Sequence, residues 1–218
     1  MDDPEQARAY AEADFAEVNQ GFVDRLRALF PDLQTGTIVD LGCGPADIAL
    51  RIAGALPAAR VIGVDASPAM LALGRAALGE LAGAGERAAE VAQRVELLEG
   101  RIPDLPLPPG SAAAIVSNSL LHHLPDPAVL WREIGRLGAP GAPVLVMDLF
   151  RPVSELAARR IVEEAGCSDD PLLTRDFYNS LLAAFTLDEV RAQLRENGLA
   201  DLESSVVSER HLLVWGRL

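Results

Sequence analysis

The most chemically specific feature of the sequence is an apolar run that enters a glycine bend between two acids. Ile38-Val-Asp-Leu-Gly-Cys-Gly-Pro-Ala-Asp47 carries a strand-like segment into Gly42-Cys43-Gly44. Glycines at such a bend let the backbone turn sharply and let a ligand reach main-chain amides that a Cβ would cover. Two ligand classes use this geometry. A dinucleotide brings a pyrophosphate, which needs uncompensated N–H groups and a third glycine for close helix packing. Here Asp47 occupies the third-glycine position, and Asp40 lies two residues before the first glycine. Carboxylates flanking the bend repel a diphosphate and suit a ligand with a sulfonium and an α-ammonium group, the two cations of S-adenosylmethionine. A further acid, Asp65, closes the run Val61-Ile-Gly-Val-Asp65, 21 residues after Gly44. At that spacing a carboxylate can accept both hydroxyls of a ribose in either ligand class.

A scaffold must bring these strand ends together. From Thr37 onward short apolar runs alternate with helical stretches, the pattern of a parallel sheet covered on both faces. Strands are predicted over Thr37–Leu41, Arg60–Val64, Val95–Leu98, Ala113–Ser117 and Pro143–Asp148. Ser67-Pro68 and Asp126-Pro127 each place a capping side chain before a proline at the first helical position. Phe15, Val18, Phe22, Leu26 and Leu29 recur at helical spacing near the amino terminus. After Asp148, helices are expected over Pro152–Ala165 and Pro171–Phe185, and Thr186-Leu-Asp-Glu189 opens another with a capping box. Leu199–Val207 and His211–Trp215 read as a strand pair. The fold expected is α/β: a Rossmann-like, doubly wound, seven-stranded, mostly parallel sheet with an antiparallel C-terminal edge strand. It divides as one domain into an N-terminal helical cap (1–36), a cofactor-binding core (37–149), a helical lid insert (150–185) and a C-terminal helix with the strand pair (186–218).

From Ile38 to Asp148 the sequence resembles the class I S-adenosylmethionine-dependent methyltransferases, the small-molecule type 11/25 branch in particular. The resemblance implies that Asp40, Gly42 and Gly44 surround the methionine portion of the cofactor and that Asp65 binds its ribose, with Ala66 and Met70 near the adenine. Asn118-Ser-Leu-Leu-His-His-Leu-Pro-Asp126 is similar to the family's segment after strand four. There Asn118 would approach the cofactor, and His122 or His123 would face the methyl-transfer pocket. Relatives often carry Gly-Asp after the third strand, the acid bonding the adenine amino group; this chain has Gly100-Arg101. Arginine cannot accept a hydrogen bond, so adenine contacts pass to backbone, to Asp104, or to stacking on Arg101 or Ile102. The N-terminal helix often caps the site in relatives, which makes Tyr10 a candidate for closing over it.

The implied reaction is an in-line displacement at carbon. Its donor is already activated, so the protein chiefly aligns the groups and excludes water. If the acceptor is a hydroxyl or ammonium, His122 or His123 could take its proton, since imidazole titrates near neutrality. Arg151, just past strand five, and Tyr178 and Asn179 on the predicted insert helix are candidate acceptor-binding residues. Another S-adenosylmethionine-using transferase or a non-catalytic binder of that nucleoside stands as the alternative.

Composition narrows the field further. All 19 basic residues are Arg, so there is no P-loop lysine and no lysine for a Schiff base. The formal charge of −13 argues against a phosphate-backbone partner, because such binding needs Lys and Arg against phosphates. Two cysteines, Cys43 and Cys167, make neither a disulfide framework nor a zinc quartet. No apolar run approaches the roughly 20 residues that span a membrane. A small-molecule acceptor, no metal, no membrane or nucleic-acid partner and a cytoplasmic location are therefore expected. Oligomeric state and the acceptor's identity stay open.

Overall fold

The computed structural model describes residues 15–165 and 171–218; Tyr10 and Cys167 lie outside the described residues. Seven strands form one sheet: β1 (Thr35–Leu41), β2 (Ala58–Asp65), β3 (Val95–Glu99), β4 (Ala114–Asn118), β5 (Pro143–Leu149), β6 (Glu203–Val206) and β7 (His211–Arg217). Their spatial order is β3-β2-β1-β4-β5-β7-β6. The first five run parallel, and β7 is antiparallel to both its neighbours, between β5 and the short edge strand β6. Chain order reverses at β1, which pairs with β2 on one side and β4 on the other. The carboxyl ends of β1 and β4 therefore flank the crevice where open α/β sheets take their ligands.

The helices are α1 (Ala16–Leu29), α2 (Asp47–Ala55), α3 (Pro68–Gly83), α4 (Glu86–Ala92), α5 (Ala128–Leu137), α6 (Glu155–Glu164), α7 (Pro171–Ala183) and α8 (Leu187–Glu196). Phe22, Val23 and Leu26 of α1 and Ile48 and Ile52 of α2 cover one face of the sheet over Ile38, Val116 and Leu145. Leu130, Trp131 and Ile134 of α5 with Val190 and Leu194 of α8 cover the other, over Val39, Ile115 and Val146. Every residue of β5 is buried, which is why its sequence is apolar without alternation. Because side chains alternate along a strand, Asp40, Asn118 and Met147 share the α1–α2 face, whereas Ser117 and Asp148 share the α5–α8 face.

Local signals set most boundaries. Ser67 accepts from the Met70 amide at 3.3 Å, and the Thr186–Glu189 capping box closes with bonds of 3.3 and 2.7 Å. Asp126 accepts from the Ala128 amide at 3.0 Å, so α5 opens one residue later than the proline position implied. Ser154 caps α6 through the Ala157 amide at 3.2 Å, which delays that helix from Pro152 to Glu155. The strand expected over Leu199–Val207 shortens to β6, because Leu199 and Leu202 are buried and turn together through a 3.1 Å main-chain bond.

The segment from 150 to 185 leaves and rejoins the sheet at one point: Phe150 bridges Phe185, and the Arg151 amide donates to the Phe185 carbonyl at 3.1 Å. Within it, Ala158 and Val162 of α6 pack on Leu181 and Ala184 with only Leu149 from the sheet. None of the described helices is long and apolar enough to cross a membrane. Among the described residues no group of three or more His, Cys, Asp or Glu is placed to hold a metal ion.

Candidate functional site

The glycine bend takes the shape its residues require. Gly42 and Gly44 adopt φ of +76° and +52°, and the amides of Gly42 and Cys43 both donate to the Val64 carbonyl, at 2.8 and 3.0 Å. A Cβ on Gly42 would stand 2.9 Å from the Leu120 Cβ, whereas one on Gly44 would meet nothing within 4 Å. Gly42 is thus demanded by packing and conformation together, and Gly44 by conformation and an open approach. Gly42→Ala is expected to destabilise the fold by about 1–3 kcal/mol, readable as a lowered denaturation midpoint; an unchanged midpoint would contradict the tight approach.

Asp40, at the end of β1, is 1% exposed, and its Oδ2 has no hydrogen-bond partner. Burial, reinforced by the negative charge of Asp65, pushes its carboxyl pKa up from 3.8 to about 7. On the adjacent strand, on the same face, Asn118 Oδ1 is likewise buried without a partner. No other described side-chain N or O atom outside the exposed residues is in this condition. Both orphans lie at the switch point of the sheet, and buried polar groups are almost always paired. Two buried acceptors left without a partner would be satisfied by a hydrogen-bond donor.

Asp65 has a structural duty the spacing did not reveal. Its Oδ2 accepts from the Gly44 amide and its Oδ1 from the Ser67 amide, both at 2.8 Å, which ties the glycine bend to the end of β2. Each carboxylate oxygen keeps a second lone pair, so ribose hydroxyls can still be accepted there. Asp47 departs further from the electrostatic expectation. Its Oδ2 takes the Asn19 amide of α1 and Arg51 Nε, both at 2.8 Å, so its charge is answered within the protein. The negative field at the bend comes from Asp40 and Asp65. Asp47 instead fastens α1 to α2.

Beyond β4 the chain makes a 3-10 turn, Leu121–His123. Asp148, at the end of β5, organises it: Oδ2 accepts from the Leu121 amide at 2.7 Å, and Oδ1 lies 2.6 Å from His122 Nδ1. The two side chains are 4% and 1% exposed. A carboxylate on Nδ1 favours the tautomer with the proton there and Nε2 as the acceptor. None of the described residues bonds Nε2. His123 is more exposed, its ring centroid 4.0 Å from that of His122; partial desolvation and the neighbouring ring hold its pKa below the usual range.

The remaining expected residues scatter. Ala66 is half-buried at the end of β2 and Met70 is buried in α3. Arg101 is exposed and Ile102 half-buried in the loop after β3, whose first residue, Gly100, donates to the Asp65 carbonyl at 3.0 Å. Arg151 pairs with Glu189 at 2.5 Å, and Tyr178 donates to Glu155 at 3.3 Å under the Arg159 guanidinium. Both are thus engaged by the protein itself, and Asn179 is exposed. Asp148 was missed by the sequence reading, although its place at the end of an apolar strand, like Asp40 and Asp65, was a usable signal.

Residues 38–141 match a family model described as a methyltransferase domain. The chain is 40% identical over 121 residues to trans-aconitate 2-methyltransferase of Methylobacterium radiotolerans, covering 54% of this chain and 41% of that one. It is 27% identical over 199 residues to 27-O-demethylrifamycin SV methyltransferase of Amycolatopsis mediterranei, covering 90% and 66%. It thus spans less than two thirds of either relative. Among solved structures, an S-adenosyl-L-methionine-dependent methyltransferase fold from Methanococcus maripaludis superposes with a TM-score of 0.75 at 17% identity, covering 98% of this chain and 93% of that one.

Proposed function

We propose that the chain is a class I, S-adenosylmethionine-dependent methyltransferase of the type 11/25 kind, acting on a small-molecule acceptor; the match of residues 38–141 to the methyltransferase-domain model supports this. The observation that carries the reading is the pair of buried, partnerless acceptors, Asp40 Oδ2 and Asn118 Oδ1. Acceptors stripped of water cost free energy until a donor meets them. An α-ammonium brings three N–H donors and a positive charge to that point. A phosphate brings only acceptors and repulsion.

In this reading Asp40, Gly42, Gly44 and Asn118 hold the methionine end of the cofactor and Asp65 its ribose. Ala66, Met70, Arg101 and Ile102 border the adenine. Bound there, S-adenosylmethionine supplies a methyl group already activated on a sulfonium sulfur. The protein's own work is to hold the acceptor in line, to exclude water, and to take a proton where the acceptor carries one. His122 is the preferred base, with Asp148 holding its Nδ1 proton; His123 is the second candidate. Tyr10, Arg151, Tyr178 and Asn179 are assigned to the acceptor side, under a roof made by the N-terminal cap and the insert of residues 150–185. For Arg151 that means exchanging Glu189 for an anionic group of the acceptor. The charge of −13 supports a partner other than nucleic acid, and a reducing cytoplasmic setting completes the reading, with Cys43 a buried free thiol.

Calorimetry with S-adenosylmethionine and its demethylated product tests the cofactor step; both should bind with one site per chain. The names of the two relatives supply first acceptors, trans-aconitate and 27-O-demethylrifamycin SV, and a product heavier by one methylene unit is the positive result. Absence of heat with either nucleoside at millimolar concentration overturns the reading.

A further inference from the structure

The loop between β3 and β4 is fastened to α5 by an ion pair that the cofactor reading does not use. Glu133 is 2% exposed, and its Oε1 accepts the Leu105 amide at 3.2 Å. Arg136 donates to both of its oxygens, at 2.5 and 3.0 Å, and also to the carbonyls of Leu105 at 3.0 Å and Leu107 at 2.8 Å. Two side chains one helical turn apart therefore hold both main-chain groups of Leu105. Leu105 itself is 4% exposed and lies so close to Gly100 that a Cβ there would meet its Cδ2 at 2.7 Å. Further on, the amides of Gly110 and Ala112 donate to the carbonyls of Arg136 and Leu137, both at 2.9 Å. The chain from 105 to 112 is thus fastened along the end of α5, and Gly100 is fastened to the Asp65 carbonyl. The Asp104 main chain also bonds the Glu133 carboxylate, so residues 101–103 arch between these anchors.

Burying the Glu133 carboxylate to pair it with a half-buried Arg136 is a costly way to obtain stability, since apolar residues of equal volume do as well or better. Its use lies in fixing a position. Burial acts to raise the Glu133 pKa, yet the bonds from Arg136 and the Leu105 amide outweigh it and hold the carboxyl below its usual range, so the pair stays charged at neutral pH.

We propose that Glu133 and Arg136 are positioning residues for the nucleoside end of the cofactor. Acting through main-chain bonds, they hold residues 101–104 as a preformed wall beside Asp65 and Ala66. This rests on the cofactor reading above. A wall set before binding spares the ligand the cost of ordering it.

The test compares wild type with Arg136→Met and the isosteric Glu133→Gln, by calorimetry with S-adenosylmethionine and adenosine, by turnover at saturating cofactor, and by hydrogen exchange. In Arg136→Met, Kd should rise roughly tenfold for both ligands, the scale of losing one preordered segment, with kcat within about twofold of wild type. Arg136→Lys, which cannot fork to all four oxygens, should fall between. Amides of the 101–107 loop should exchange faster without ligand, while those of β1, β4 and β5 keep their protection. Wild-type Kd in a folded Arg136→Met protein overturns the proposal, as does a uniform loss of protection across the sheet with kcat and affinity falling together. If Arg136→Met does not fold, Glu133→Gln decides by the same readings. Failure of the wild type to bind either nucleoside removes the cofactor reading instead, and loop exchange in the variants then decides whether the pair positions the loop at all.

Discussion

Asp40→Asn should make the empty protein more stable at pH 8 and nearly unable to bind its cofactor. The carboxyl titrates near pH 7 in the folded chain against 3.8 in the unfolded one. A folded pKa raised in this way means that its contribution is harmless below about pH 4, where both states hold the proton. The cost then grows as pH rises and is complete above about 7. Three units correspond to about 4 kcal/mol at most, and the carboxamide brings a buried N–H₂ of its own, so a net gain of about 1–3 kcal/mol is expected. Affinity should move the other way, by about a hundredfold, the usual order for removing one partner of a buried charge pair. The linkage gives a second signature. Wild-type affinity for S-adenosylmethionine should climb as pH approaches 7 from below and then level off, while Asp40→Asn binding stays flat with pH. Denaturation and calorimetry across pH 5–9 read both. A variant that loses stability at pH 8, or binds like wild type, contradicts the role given to this carboxylate.

The second large effect is expected at Asp148. An Asn there can present N–H₂ to His122 Nδ1, which stabilises the tautomer carrying its proton on Nε2, so the free lone pair faces the wrong way. For a hydroxyl or amine acceptor, Asp148→Asn and His122→Ala should each lower kcat by about a hundredfold or more, with cofactor Kd unchanged. The two losses should not add in the double variant, because the residues act as a unit. Full turnover in both single variants would remove the base and leave positioning as the sole source of rate. His123→Ala serves as the internal comparison. It shares the 3-10 turn but has no carboxylate partner at hydrogen-bonding distance, so a small effect is expected.

What could be read from the sequence was what is local or periodic. The five parallel strands lie within two residues of their predicted bounds, because short apolar runs, unbroken where both faces are buried as in β5, stand out between helical stretches. Ser67, Asp126 and the Thr186–Glu189 box were readable for a similar reason: a cap and the amide it accepts from are neighbours in sequence. Charges were harder. Asp47 was read as an anion facing the ligand, and only its bond to Asn19, 28 residues away, places it in the helix contact. Asp148 and His122 meet across 26 residues, and Glu133 reaches Leu105 across 28. Such partnerships depend on which strand ends the sheet brings side by side, and spacing along the chain carries no record of that. The two unpaired oxygens at Asp40 and Asn118 were visible only once their neighbours had failed to satisfy them.

The pinched base of the excursion between Phe150 and Phe185 has a consequence for how such chains diversify. Two ends that already touch can accept a different length or content of chain between them without stretching the sheet or disturbing the cores on either side. The excursion is in that sense a cartridge, exchangeable by recombination at one joint. The strand ends, tied across the sheet by Asp65 and Asp148, can change only one residue at a time.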